Sequence, residues 1–170
     1  MSTEERRKNI QAVLRRSDGP VSASVLAGQF GVSRQIVVGD IALLRAEGCQ
    51  IHSTPHGYIL GEYASGVRRV VACRHDAAEM QQELYAIVDQ GCTVQDVIVE
   101  HPVYGQLTGQ LLLSCRYDVD SFIQKCRTSA AKPLSALTEG LHLHTLLASD
   151  ESAIERAVSS LKELGVLVES

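Results

Sequence analysis

The sequence predicts an α+β protein in two parts: a winged helix-turn-helix at residues 1–62, then an α+β sandwich of ferredoxin-like type at 67–170. Residues 21–48, VSASVLAGQFGVSRQIVVGDIALLRAEG, hold two amphipathic stretches joined by a glycine turn, each opened by a serine. From residue 67 the hydrophobic period alternates between two and 3.6 in the order β-α-β-β-α-β, with one more helix after it. Within that series His142 and His144 stand two apart in a strand-like run, LHLHTLLA, and Glu83 falls on or beside the inward stripe of a helix.

Arg6 to Arg16 places Ile10, Val13 and Leu14 at i, i+3 and i+4, an amphipathic helix ended by Ser17-Asp18-Gly19-Pro20. Ser22 caps a second helix with Val25, Leu26 and Phe30 inward and Gly31 as its left-handed terminator. Ser33 caps a third, with Val37, Ile41 and Leu44 inward and Gly48 as its stop. That helix presents Ser33, Arg34 and Gln35 in its first turn, where recognition helices meet phosphates and base edges. The plainer alternative is a packed three-helix bundle with Arg34 a solvated charge. Gly39 interrupts the helix at a cost of about 1 kcal/mol against alanine and is expected to mark a close approach to another helix. Residues 50–53 and 57–60 read as two short strands around Thr54-Pro55-His56, a hairpin with a flexible tip. His56 is a candidate phosphate or minor-groove contact, or simply an exposed neutral histidine.

In the second part a strand is expected at 67–73, then a helix over 76–90 with Met80, Leu84, Ile87 and Val88 inward. Strands at 94–99 and 107–115 flank His101-Pro102-Val103-Tyr104-Gly105. Asp118 is expected to cap a helix carrying Val119, Phe122, Ile123 and Cys126. After a loop with Lys132-Pro133 comes a strand at 141–148. Asp150 opens a last helix with Ile154, Val158, Leu161 and Leu164 inward.

Residues two apart on a strand share a face, so His142 and His144 project together. An unpaired carboxylate at Glu83 would cost several kcal/mol of desolvation and needs a cation. His75, at the end of the strand feeding that helix, is near enough to share it. Three imidazoles and a carboxylate suit one divalent transition-metal ion per chain, Zn²⁺, Ni²⁺ or Fe²⁺, and disfavour Ca²⁺ or Mg²⁺. The competing reading is a network of satisfied core histidines without metal. A hydrolytic zinc enzyme is disfavoured because no general base stands out: Glu100, beside His101, fits no catalytic motif.

Composition bounds the function classes. No apolar run approaches the roughly 20 residues of a membrane span, and the start, MSTEERRKNI, lacks the apolar core of a secretory signal. A cytoplasmic protein with no membrane partner is expected. Five cysteines, an odd number without a C-x-x-C pair, predict free thiols. Residues 1–66 carry seven Lys and Arg against six Asp and Glu, and the rest nine against fourteen. Charge alone is therefore weak support for DNA, and the case rests on motif geometry.

The segments GVSRQ, DIALLRAEG and HGYIL resemble the winged helix of biotin-operon-type repressors. His75 with Glu83 eight residues later, HPVYGQL at 101–107, KPLSALTEGLHLHTL at 132–146 and the D-E-x-A-I-E-R helix look like the three-histidine (3H) domain. A winged helix followed by a 3H domain resembles, over essentially the whole chain, the niacin-responsive transcriptional repressor family. That resemblance implies repression of NAD-synthesis or niacin-uptake genes with nicotinic acid as corepressor. It implies His75, Glu83, His142 and His144 as metal ligands and His101 as a residue lining the effector pocket, with Tyr104 beside it. The expected partners are double-stranded operator DNA, nicotinic acid and a second copy of the chain, since one small module reads too few base pairs. The alternative is a metal-responsive regulator in which the ion itself is the signal. No catalytic residue is expected.

Overall fold

The computed structural model describes residues 1–61 and 66–169. The chain divides into two compact units, Met1–Ala64 and Ser65–Ser170. The expected junction, between residues 62 and 67, falls largely outside the described residues.

In the first unit, helix α1 (Thr3–Arg16) starts three residues earlier than its apolar pattern suggests. Ser2 and Glu5 form a reciprocal capping box, which satisfies the helix's first backbone donors. Helix α2 (Ala23–Phe30) has Ser22 as its cap and left-handed Gly31 at its end. Helix α3 (Arg34–Ala46) follows with Ser33 as cap. Val37, Ile41 and Leu44 close on Ile10, Leu14, Leu26 and Ile51 in one apolar core. Val25, expected inward, is 58% exposed, and Ala27 takes its place in the core. Gly39 is exposed, and among the described residues a Cβ there would meet nothing within 4 Å, so the expected helix contact is not found at this position.

Strands β1 (Ile51–Thr54) and β2 (Gly57–Leu60) pair antiparallel as the hairpin. Val21 and Tyr58 exchange two backbone bonds of 2.9 Å, fastening the hairpin to the segment before α2. At Gly57 a Cβ would strike the Val21 carbonyl, so only glycine fits. Arg45 ties the end of α3 to the hairpin by bonding the Ile51 carbonyl and Ser53 Oγ, each at 2.8 Å. Sequence reading missed buried Asp40, which receives two bonds from Arg6 (2.6 and 3.2 Å) and joins α3 to α1.

The second unit runs β3 (Val67–Arg74), α4 (Met80–Val88), β4 (Thr93–His101), β5 (Gly105–Leu113), α5 (Arg116–Thr128), β6 (Leu141–Ala148) and α6 (Glu151–Glu163). The α+β class and element order stand as expected. The sheet order, β3-β6-β4-β5 with every neighbour antiparallel, departs from the ferredoxin-like arrangement, in which the first and third strands of the series lie in the middle. Here β6 inserts between β3 and β4, and the β4–β5 hairpin leaves β5 at an edge. Asp76 caps a short 3-10 turn (Ala77–Glu79) ahead of α4, so the expected single helix from 76 begins in tighter form. Asp118 lies inside α5, accepting from Ser114 N and Oγ at 2.9 Å, while Cys115 occupies the cap position. Asp150 caps α6, but Leu164, expected inward, lies beyond the helix end at 42% exposed.

The core joins Val71, Cys73, Leu84, Ile87, Val94, Leu113, Leu146, Ile154 and Leu161 with their neighbours. This topology puts β6, the strand with both paired histidines, between two other strands. The histidine side chains are buried because α4, which carries Glu83, lies over their face of the sheet, whereas Leu141 and Leu143 on the other face are exposed and half-buried.

Candidate metal centre and nucleic-acid interface

Four residues remote in sequence meet on one face of the second unit's sheet. Cys73 pairs with His142 and Val71 with His144, so the histidine face of β6 is also that of the β3 core residues. Helix α4 lowers Glu83 onto it. Glu83 is 1% exposed, and its carboxylate lies 2.6 Å from His75 Nε2, 2.9 Å from His142 Nε2 and 3.4 Å from His144 Nε2. The rings of His75, His142 and His144 stand edge to face in sequence, with centroids 4.9 and 4.8 Å apart.

The other nitrogen of each ring is already committed. His75 Nδ1 bonds the Asp76 carbonyl at 2.7 Å, His142 Nδ1 the Gly140 carbonyl at 2.8 Å, and His144 Nδ1 the Asp96 carbonyl at 2.7 Å. A carbonyl only accepts, so each Nδ1 carries a proton and donates it. In the neutral imidazole each Nε2 is then a bare lone pair. Three such lone pairs turn toward a carboxylate that also only accepts. His142 Nε2 and Glu83 Oε1 have hydrogen-bond geometry. His75 Nε2, His144 Nε2 and Glu83 Oε2 are enclosed with no hydrogen-bond partner, despite the short separation of the first and third. Buried acceptors gathered in this way call for a positive charge, which a ring proton or a metal ion supplies, and carbonyl-tied Nδ1 atoms are the usual support for imidazole ligands.

The ligand atoms of His75, Glu83 and His142 lie within 4.8 Å of one another, a cluster small enough to gather around a single ion. These three residues form a possible metal-binding site. His144 adjoins it through Glu83 at the longer distance. Burial raises a carboxyl, but without a metal a proton on the His144, His142 or His75 ring faces Glu83 and holds it well below the usual carboxylate range. Burial likewise disfavours charge on His75 and His144, and Glu83 outweighs it, leaving both imidazoles above their ordinary value.

Sequence reading overlooked three supports. Gly140 has φ +89° and passes so close to His75 that a Cβ would collide with the His75 carbonyl. Its own carbonyl orients His142. Asp96, buried in a bulge of β4, orients His144 with its backbone while its side chain accepts from Thr145 N at 2.9 Å. Cys73 is fully buried, and burial together with the Glu83 carboxylate pushes its thiol up, so it stays protonated beside the cluster. A glycine before H-x-H was visible in the sequence; the β4 bulge had no sequence signal.

His101 ends β4. Ile98 pairs with Leu143, which faces away from His142 and His144, and alternation returns Val99 and His101 to the histidine face. His101 Nδ1 accepts from the backbone N–H groups of Val103 and Tyr104 at 3.1 and 3.2 Å, so Nε2 carries the proton. The Tyr104 ring lies 5.0 Å from that of His101 but is 74% exposed. Glu100, on the same strand, is exposed.

In the first unit, Ser33 accepts from Ile36 N at 3.3 Å, capping α3, and Arg34 and Gln35 stand exposed in its first turn. His56 sits in the hairpin turn half-buried. Its backbone N–H bonds Thr54 Oγ1 at 3.1 Å and its ring Nε2 is enclosed, so it does not offer that edge outward.

Comparison with known proteins agrees with this division. A 3H domain matches residues 68–170 and an HTH domain residues 6–59. The chain is 44% identical over 166 residues to the probable transcription repressor NiaR of Thermotoga maritima, covering 98% of this chain and 95% of that protein. It is 41% identical over 167 residues to the transcription repressor NadR of Bacillus subtilis, covering 96% and 93%.

Proposed function

Since the chain belongs to the 3H-domain family, with a helix-turn-helix unit ahead of that domain, we propose that it is a DNA-binding transcription repressor of genes for NAD synthesis or niacin uptake. Nicotinic acid is its corepressor, and one divalent transition-metal ion, Zn²⁺, Ni²⁺ or Fe²⁺, is held by His75, Glu83, His142 and His144. The relatives bear the name of transcription repressors, which argues for a regulator and against an enzyme. The observation that carries the sensor reading is the donor set itself: three imidazoles with committed Nδ1 atoms aim Nε2 at one buried carboxylate.

When bound, such an ion supplies a Lewis-acid position that takes a carboxylate oxygen. The protein's own groups do the rest. Backbone carbonyls fix the three ring orientations, and Glu83 offsets part of the cation's charge. His101, on the same sheet face, offers an Nε2–H donor to a ligand carboxylate, which favours nicotinic acid over its uncharged amide. The switch acts by favouring one arrangement of two chains on a two-part operator, so effector affinity must differ between arrangements.

Fluorescence anisotropy of operator duplexes obtained by in vitro selection tests this, with metal-loaded protein alone, with nicotinic acid, with nicotinamide and after chelation. Nicotinic acid alone is expected to tighten binding at least tenfold, a differential of about 1.4 kcal/mol. Equal affinity in every arm ends the corepressor reading. Affinity that follows metal and ignores nicotinic acid assigns the ion as the signal.

A further inference from the structure

Helix α3 carries an outward face that the fold of its own unit does not use. Gln35, Val38, Gly39 and Ala42 recur at i, i+3, i+4 and i+7, opposite the buried line of Val37, Ile41 and Leu44. All four are exposed, and Val38 is 51% exposed in the middle of the helix. The face holds no charged side chain, in a helix whose Arg34 and Arg45 lie at its two ends.

Gly39 is the informative position. Its backbone is helical, with no positive φ that would call for glycine, and a Cβ would meet nothing within 4 Å. Neither conformation nor packing inside the unit requires it, although glycine weakens a helix interior. What glycine provides there is external: the helix backbone can lie closer to a flat surface than any side chain allows. In a helix-turn-helix that surface is the floor of the DNA major groove.

Resting on the DNA-binding reading above, we propose that Gln35, Val38 and Gly39 form the base-reading surface of α3, selecting A·T pairs by their thymine methyl groups. Gly39 sets the depth at which the helix seats. Val38, one turn on from Gln35, then meets a thymine 5-methyl, as apolar side chains do in the major groove. Gln35 is placed to bond the N6/N7 edge of adenine. Arg34, at the first helical position, reaches a guanine or a phosphate at the rim. The occupant is duplex DNA, argued from the helix-turn-helix match and from an uncharged face with exposed Arg34 at the N-terminal end of its helix.

The test uses full-length protein and the duplex it enriches from a randomised library. Gly39→Ala is expected to raise the melting temperature by about 4 °C while weakening binding to the selected duplex at least tenfold. The opposite signs separate a role on DNA from a role in the fold. Gly28→Ala, also helical and open but on α2, is the control and leaves affinity within twofold. Replacing thymine by uracil in the selected site removes only the 5-methyl and costs wild type about fourfold at one position, the worth of one buried methyl group. Val38→Ala loses that preference and binds both duplexes alike. Undiminished binding by Gly39→Ala, an equal loss in Gly28→Ala, or a thymine preference that survives Val38→Ala overturns the assignment. A wild-type protein that enriches no sequence refutes the DNA-binding reading itself, which is a distinct outcome.

Discussion

Replacing Glu83 by glutamine keeps the shape of the side chain and removes its charge at the point where three imidazoles converge. The carboxylate is 1% exposed and within 3.4 Å of all three Nε2 atoms. Without metal, those rings lose the counter-charge that offsets their burial. Breaking a buried pair on one side costs about 3–5 kcal/mol, and the amide retains one acceptor oxygen, which places the loss near 3 kcal/mol. For a unit of this size that lowers the melting temperature by roughly 10 °C or more. With metal the contrast widens. Supporting groups around a metal site are worth 10–100-fold in affinity, so loss of a ligand should cost at least about a hundredfold. Wild type in metal at about 100 times its dissociation constant gains about 2.7 kcal/mol, whereas Glu83→Gln gains little. Thermal melts of both proteins in chelator and in Zn²⁺, Ni²⁺ and Fe²⁺ read both effects. A glutamine variant that is stabilised by metal as much as wild type refutes the reasoning, as does a wild type that no metal stabilises.

Three further outcomes follow from the same geometry. His142→Ala combined with His144→Ala removes metal from the purified protein while the first unit's helices persist, which elemental analysis and circular dichroism check together. Gly140→Ala places a side chain at φ +89° against the His75 carbonyl. It should destabilise by about 2–4 kcal/mol and weaken metal binding more than tenfold, because His75 and His142 both depend on the Gly140 backbone; calorimetric titration with Zn²⁺ measures it. Arg34→Ala should weaken binding to the selected duplex by about 1–3 kcal/mol if Arg34 reads a guanine, and anisotropy titration decides it.

Much of the candidate site could be read without coordinates because its parts obey local periodicity. H-x-H fixed two side chains on one strand face, and Glu83 beside Leu84 and Ile87 betrayed itself as a carboxylate on an apolar stripe. The helix-turn-helix was equally open, since Ser22, Gly31 and Ser33 mark helix ends by their own chemistry. What the sequence withheld was non-local. The pairing of β6 between β3 and β4 decides which strands neighbour the histidines, and no residue pattern encodes that order. The bulge that lets Asp96 hold both His144 and Thr145 exists only through register with two neighbouring strands. Val25 and Leu164 show the limit of helical periodicity: Val25 lies off the buried side of α2, which Leu26 and Ala27 form, and Leu164 lies past the end of α6. A glycine inside a helix, such as Gly39, suggests contact with a neighbouring helix, but among the described residues the space beside it is empty.

A cation among His75, Glu83, His142 and His144 is the centre of the proposed sensor. Elemental analysis of untagged protein, purified without chelator or added metal, tests that directly. About one equivalent of Zn, Ni or Fe per chain, lost in the His142→Ala/His144→Ala variant, is the expected result. Protein that binds its selected operator and responds to nicotinic acid with below about a tenth of an equivalent of any transition metal would contradict it.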